Sequence, residues 1–305
     1  MNKLYIALAL VLGSLYAEAQ QDPHYTQYMY NMNVMNPAYA GSKENMAIGL
    51  LYRKQWVELE GAPATGTLSV HSPVGKNVGL GLSVINDKLG PVEENNIYGD
   101  FSYTLNLGGE HRLALGLKAG LTLHQVGLYS DIHHTLPNPG DSGFSEDTSN
   151  SYFNIGTGLF YYTNKYYLAL SVPNMIKSVH LDFNGREFGN EYSHYFLTGG
   201  YVFDVTPNVK FKPFFMAKSA FTAPMSLDVS TNFLFNDKFE IGATYRLEDS
   251  FGAMVNYALT PNIKIGYAYD HIVSDLNVTT PSSHEFILLF DLNFPKKVSS
   301  SPRYF

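Results

Sequence analysis

The chain has 305 residues, of which 45% are apolar and only 15% charged, with 23 Tyr and 20 Phe against a single Trp. Soluble domains carry about 25% charged residues, so this chain is short of surface charge. Its net charge of -7, with no run of basic residues, argues against a phosphate-binding nucleic-acid protein. The absence of cysteine excludes disulfides, thiolate metal sites, a cysteine nucleophile and lipoprotein acylation.

Residues 1–19 read as a signal peptide. Lys3 supplies the positive region, Leu4 to Tyr16 the apolar stretch, and Ala17-Glu18-Ala19 the small-residue cleavage signal. The mature chain is expected to start at Gln20. No later stretch has the length of a spanning helix, so a membrane location requires a closed β-barrel, the other structure that satisfies its backbone in lipid.

Residues 20–44 are rich in Tyr, Met and Asn and nearly uncharged. Pro23 and Pro37 interrupt regular structure, and the tyrosines offer flat faces with hydroxyl handles suited to a half-wet cavity. The stretch is expected either to plug the periplasmic mouth of a barrel or to dock a periplasmic partner. Its candidate contact residues are His24, Tyr25, Gln27, Tyr28, Asn36, Pro37, Tyr39 and Gly41.

Residues 45–294 read as strands. From Arg112 to His124 the apolar face (Leu113, Leu115, Leu117, Ala119, Leu121, Leu123) alternates with Arg112, Gly116, Lys118, Gly120 and Thr122. The same period-2 pattern runs through Met225–Phe235, Phe239–Leu247 and His284–Phe294. About fourteen such segments lie near 46–56, 64–72, 78–86, 95–107, 112–124, 151–163, 166–173, 192–205, 208–217, 224–235, 238–247, 250–259, 262–272 and 283–294. Most have the length of a tilted strand that crosses a bilayer. Tight links (Pro73–Asn77, Gly108–His111, Asn164-Lys165, Thr206-Pro207, Asn236-Asp237, Thr260-Pro261) alternate with longer ones (Trp56–Pro63, Asp87–Glu94, Gln125–Asn150, Asn174–Glu191, Lys218–Ala223, Val273–Ser282). Only the Glu248-Asp249 link is short where a long one is due. The expected fold is therefore all-β: a transmembrane outer-membrane barrel of about fourteen antiparallel strands, with an N-terminal periplasmic or plug segment. Short turns belong to the periplasm and long loops to the outside, which puts both termini in the periplasm.

Lys118, Lys210, Lys212, Asp228, Glu240, Arg246, Asp270 and Asp291 are expected to line the lumen, mixed in sign and paired across it. Glycines recur on the same face, among them Gly79, Gly81, Gly116, Gly158 and Gly266, where another chain segment can approach. A barrel this wide is not filled by its own side chains, so it is plugged or it conducts. The aromatic pairs Tyr161-Tyr162, Tyr166-Tyr167 and Phe214-Phe215 suggest interfacial girdles.

No chemistry emerges. His133-His134 are adjacent on a loop without a third fixed ligand, and the Asp141 loop lacks EF-hand spacing. His71-Ser72 and Ser283-His284 point to opposite faces of a strand. No catalytic residue, metal or cofactor is expected. Residues 295–305 form a periplasmic C-terminal tail, where Arg303, Tyr304 and Phe305 are candidate docking residues.

The run Asp22-Pro23-His24-Tyr25-Thr26-Gln27-Tyr28-Met29 and the run Asn36-Pro37-Ala38-Tyr39-Ala40-Gly41-Ser42 resemble the opening of the PorP/SprF family. Arg53-Lys54-Gln55-Trp56, Gly61-Ala62-Pro63, His71-Ser72-Pro73, Asn86-Asp87-Lys88-Leu89-Gly90-Pro91 and Ser301-Pro302-Arg303-Tyr304-Phe305 extend the resemblance over the mature chain. It adds Trp56 to the candidates. The resemblance implies a non-enzymatic component of the type IX secretion and gliding machinery, placed in the outer membrane among its lipids. Its implied partners are other secretion components, namely a periplasmic ring lipoprotein or a peptidoglycan-binding protein. A large secreted adhesin, held through its C-terminal domain, is the other possibility. The alternative function is a gated outer-membrane transporter for a small or apolar solute.

Overall fold

The computed structural model describes residues 24–127, 147–176, 179–183, 186–190, 193–220, 225–274 and 282–292. The chain forms β1 (Met46–Lys54), β2 (Ala64–Pro73), β3 (Val78–Leu89), β4 (Val92–Gly108), β5 (His111–Val126), β6 (Thr148–Tyr162) and β7 (Tyr166–Val172). A small hairpin of β8 (Val179–Phe183) and β9 (Arg186–Asn190) follows. Then come β10 (Tyr195–Tyr201), β11 (Phe203–Thr206), β12 (Val209–Ser219), β13 (Ser226–Phe235), β14 (Phe239–Arg246), β15 (Ser250–Thr260), β16 (Ile263–Ile272) and β17 (Ser282–Leu292). Every neighbouring pair is antiparallel. β1 pairs with β2 on one side and β17 on the other, Leu50 facing both Leu68 and Leu288. That second pairing closes a ring of 14 strands and removes the sheet edges.

The faces are inverted relative to a water-soluble core. Leu117 is 61% exposed and Phe286 55%, whereas Arg53, Lys118, Lys212, Glu240 and Glu285 are fully buried. Within β5 the reversal occurs between neighbours, Leu117 outside and Lys118 inside. This is the pattern of an outer-membrane barrel with an apolar belt against lipid.

Three features depart from the sequence reading. The 87–94 stretch is not a long loop: β3 and β4 stay paired out to Leu89 and Val92 around a turn at Gly90, whose φ is +55°. There most side chains are polar, and Asn86 Nδ2 donates to Glu93 (2.8 Å) and Asn95 (2.9 Å); regular apolar alternation ends while the ladder continues. The 192–205 strand is broken at Val202, which turns inward (2% exposed) and separates β10 from β11. The 174–191 link carries the β8–β9 hairpin.

The aromatic pairs also divide. Tyr162, Tyr167 and Phe214 point inward and are buried, because successive strand residues face opposite sides. Their partners Tyr161 and Tyr166 join Tyr201, Phe203, Phe211 and Phe233 in an outer row with successive ring centroids 4.2–6.0 Å apart. The row follows the short-turn end of the wall, as an interfacial girdle does. Leu117→Arg is expected to destabilise the barrel in lipid by about 2–4 kcal/mol, the range for a cation placed near the midplane on the lipid face. Urea unfolding in vesicles, followed by heat-dependent gel mobility, measures it.

Candidate functional site

The polar inner wall surrounds the chain ahead of β1. Proline and asparagine keep this segment from forming long helices. It makes a 3-10 turn at Tyr28–Tyr30, one helical turn at Met32–Met35 (α1), and a second 3-10 turn at Pro37–Tyr39. Asn36 starts that second turn, its Oδ1 accepting from Ala38 N (2.9 Å) while its Nδ2 donates to the Leu159 carbonyl of β6 (3.0 Å). Tyr25, Gln27, Tyr28, Met29, Met32, Asn33, Asn36, Ala38 and Tyr39 are all buried.

The segment runs through the lumen. Residues 24–27 lie at the end that bears the long loops, where Lys218 of β12 contacts His24 Nε2 at 3.2 Å. Tyr30 reaches the short-turn end, bonding Glu240 of β14 and accepting from Lys212 Nζ of β12 (2.8 Å). Asn33 then donates to Asp100 of β4 (3.2 Å). Gly41 N donates to His71 Nδ1 of β2 (3.2 Å), and Lys43 Nζ pairs with Asp291 of β17 (3.3 Å) at the short-turn end. The segment therefore spans the lumen instead of sitting in one mouth.

Glycines on the wall make room for it. A Cβ on Gly116 would overlap the Ala38 backbone, one on Gly79 the Ala40 carbonyl, and one on Gly158 the Asn36 side chain. Gly116 and Gly158 face each other in the β5–β6 ladder, so together they form a bare track under the Asn36–Ala38 turn. Gly41 lies against Gly79 with φ +70°, a conformation glycine adopts without steric cost. Beside this track, Tyr39 meets the rings of Phe160 and His71 edge-on, each at 5.2 Å. Phe160 continues into Tyr162 and Tyr167.

The lumen charges are paired. Lys118 sits 2.8 Å from Asp100, Lys212 3.1 Å from Glu240, and Arg246 binds both oxygens of Asp228. Arg53 is shared by Asp270 (2.7 Å) and Glu285 (3.3 Å). Lys210 and Asp291, expected in the same lining, sit at the short-turn rim, where Lys210 pairs with Asp204 (3.2 Å). Lys218 offers only N–H donors, so His24 Nε2 accepts in their contact.

The structure brings His24, Tyr25, Gln27, Tyr28, Asn36, Pro37, Tyr39 and Gly41 into one interface with the wall. It does not bring Trp56 there. Trp56 lies in the β1–β2 loop with φ +46°, its backbone N donating to Ser283 Oγ (3.2 Å). Arg303, Tyr304 and Phe305 lie outside the described residues, as do residues 1–19, expected to be a signal peptide, and the His133-His134 loop. The sequence reading did not single out Arg53, Asp100 or Glu285 as segment-binding residues, nor Asn33 as a contact of the segment itself. Strand alternation places the first three on the inner face, but only the closed ring brings Arg53 to Glu285. Among the described residues, no group of three or more His, Asp or Glu side chains is arranged to hold a metal ion.

Overpacking a tight contact costs about 1–3 kcal/mol. Gly116→Val is thus expected to lift the Asn36–Ala38 turn off the wall without opening the ring. The segment should become sensitive to protease while the barrel keeps its heat-dependent gel mobility.

A family model described as type IX secretion system membrane protein PorP/SprF matches residues 17–290. No curated relative matches the chain. Among solved structures, the chain is similar to the CymD monoaromatic hydrocarbon channel, with 11% identity, a TM-score of 0.54, and 86% of this chain and 93% of that chain covered. It is also similar to the P. putida toluene transporter TodX, with 10% identity, a TM-score of 0.50, and 87% and 94% covered. At such identities the likeness is one of fold alone.

Proposed function

The chain belongs to the PorP/SprF family of type IX secretion system membrane proteins, and from that premise we propose that it is a non-enzymatic docking component of the outer membrane with a sealed lumen. The observation that carries this reading is the buried segment from His24 to Lys43, bonded to the wall at both ends. A lumen occupied in this way suits a scaffold better than an open pore. The short-turn end faces the periplasm and the loops face outward. Docking then takes one of two forms. At the turn end, with the 295–305 tail, the partner is a periplasmic ring lipoprotein or a peptidoglycan-binding protein. At the loop end it is the C-terminal domain of a large secreted adhesin.

A second reading, a gated passage for a small or apolar solute, is favoured by a specific feature of the wall. An apolar hollow of about 820 Å³ opens on the lipid side between β1–β3 and β15–β17, lined by Leu50, Tyr52, Leu68, Tyr257 and Phe286.

Affinity purification from the native membrane separates the two. Co-purified secretion components or a large adhesin are expected; a bound lipid or solute without protein partners favours the passage instead. Sealing has its own test in single-channel recording. Deleting residues 20–43 is expected to convert a silent barrel into one with a steady conductance, and an unchanged record counts against the plug.

A further inference from the structure

At the loop end, three neighbouring strands hold the start of the lumen segment by its backbone. Glu285 of β17 accepts the Thr26 amide on Oε2 (2.8 Å) and the Gln27 amide on Oε1 (2.8 Å). Asp270 of β16 accepts the Thr26 hydroxyl (2.6 Å), and Arg53 of β1 donates to the same hydroxyl through Nη1 (2.8 Å). The three charged side chains are no more than 2% exposed.

The charge count of this cluster differs from that of the pairs farther along the segment. Lys118–Asp100 and Lys212–Glu240 each match one cation to one buried carboxylate, and the segment only adds to them. Here one guanidinium bonds two buried carboxylates, while the next cation of the wall, Arg246, is near Asp270 but bonds Asp228 and Asp249. The segment adds two peptide N–H groups and a hydroxyl. Buried carboxylates need such donors, so Glu285 on both oxygens and Asp270 on Oδ2 draw theirs from a peptide. Two of the three segment donors are backbone groups that almost any residue offers; the third requires Thr or Ser.

We propose that Arg53, Asp270 and Glu285 form a peptide-binding latch, occupied in cis by Thr26 and Gln27, which releases residues 24–27 at the outer mouth while the rest of the segment stays seated. The ligand class is a peptide turn carrying a hydroxyl residue at the position of Thr26, whose two successive amides converge on one carboxylate. The inference rests on the segment's place in the lumen and is independent of which partner docks.

The absence of cysteine makes single-cysteine labelling of the full chain clean. His24→Cys reports on the loop end and Ser42→Cys on the turn end. Each is labelled with a membrane-impermeant methanethiosulfonate in vesicles, with folding checked by heat-dependent gel mobility. Thr26→Val and Glu285→Gln are expected to speed labelling at position 24 by about tenfold or more, the scale of losing one charge-assisted hydrogen bond. Thr26→Ser should keep the original rate, and labelling at position 42 should not change. Equal rates at position 24 in the Val and Ser variants overturn the latch. So does a joint acceleration at both positions, which means that the barrel or the whole segment has loosened. Should Glu285→Gln fail to fold, the Thr26→Val and Thr26→Ser pair decides, since neither alters the wall. Fast labelling at both positions before any latch substitution points instead to failure of the sealed-lumen reading.

Discussion

Backbone amides cannot be left open in hydrocarbon, and nearly every other feature of this chain answers to that constraint. Pairing β1 with β17 satisfies the last edge and closes a ring whose outer wall meets lipid. Alternation along each strand then forces every second side chain inward. A ring of fourteen strands leaves more space inside than those side chains fill. The chain supplies the missing volume from its own N-terminal region, and the composition of that region follows: small, aromatic and amide side chains that can be buried while still bonding a polar wall.

The polar wall and the segment depend on each other unequally. Buried charges are tolerated when each finds a partner, and Lys118–Asp100, Lys212–Glu240 and Arg246–Asp228 are matched within the wall. Two of these pairs tie adjacent strands together whether or not the segment is bonded to them, Asp100 lying opposite Lys118 in the β4–β5 ladder and Asp228 opposite Arg246 in β13–β14, and Lys212–Glu240 joins β12 to β14 across β13. The cluster around Arg53 draws further donors from the segment, two amides and the Thr26 hydroxyl. Two matched pairs also bond the segment, through Asn33 and Tyr30, but each holds two strands together without it.

Strand positions were legible because a lipid-facing strand writes a period-2 pattern over many residues. The pattern fails where strands leave the lipid. Beyond Asn86 and Asn95 charged residues (Asp87, Lys88, Glu93 and Glu94) interrupt the alternation, so the extension of β3 and β4 reads as loop. It also misses the break at Val202, where an apolar residue points inward and the alternation merely appears to slip. Adjacent aromatics such as Tyr166-Tyr167 read as one girdle, although strand geometry assigns one ring to lipid and the next to the lumen. The segment was recognisable by composition, but its route was not. Arg53 and Glu285 are 232 residues apart, and their meeting with Thr26 depends on ring closure and register, neither of which leaves a local trace.

Glycine placement shows how the route is nonetheless encoded. Gly116 and Gly158 sit opposite one another where Ala38 and Asn36 cross, and Gly79 lies where Ala40 and Gly41 leave the lumen. In a strand that only faced water, a glycine would weaken the sheet without return. On this wall each one lowers the surface by a side chain, so that the segment's backbone can lie against the strand. The closest approaches of the path are thus fixed by which side chains are missing, and its loop end by which charges need donors. A substitution on the track displaces the segment by volume, whereas one in the Arg53 cluster detaches it by unbalancing charge. These are separable ways of moving the same element, and both leave the hydrogen-bonded ring closed.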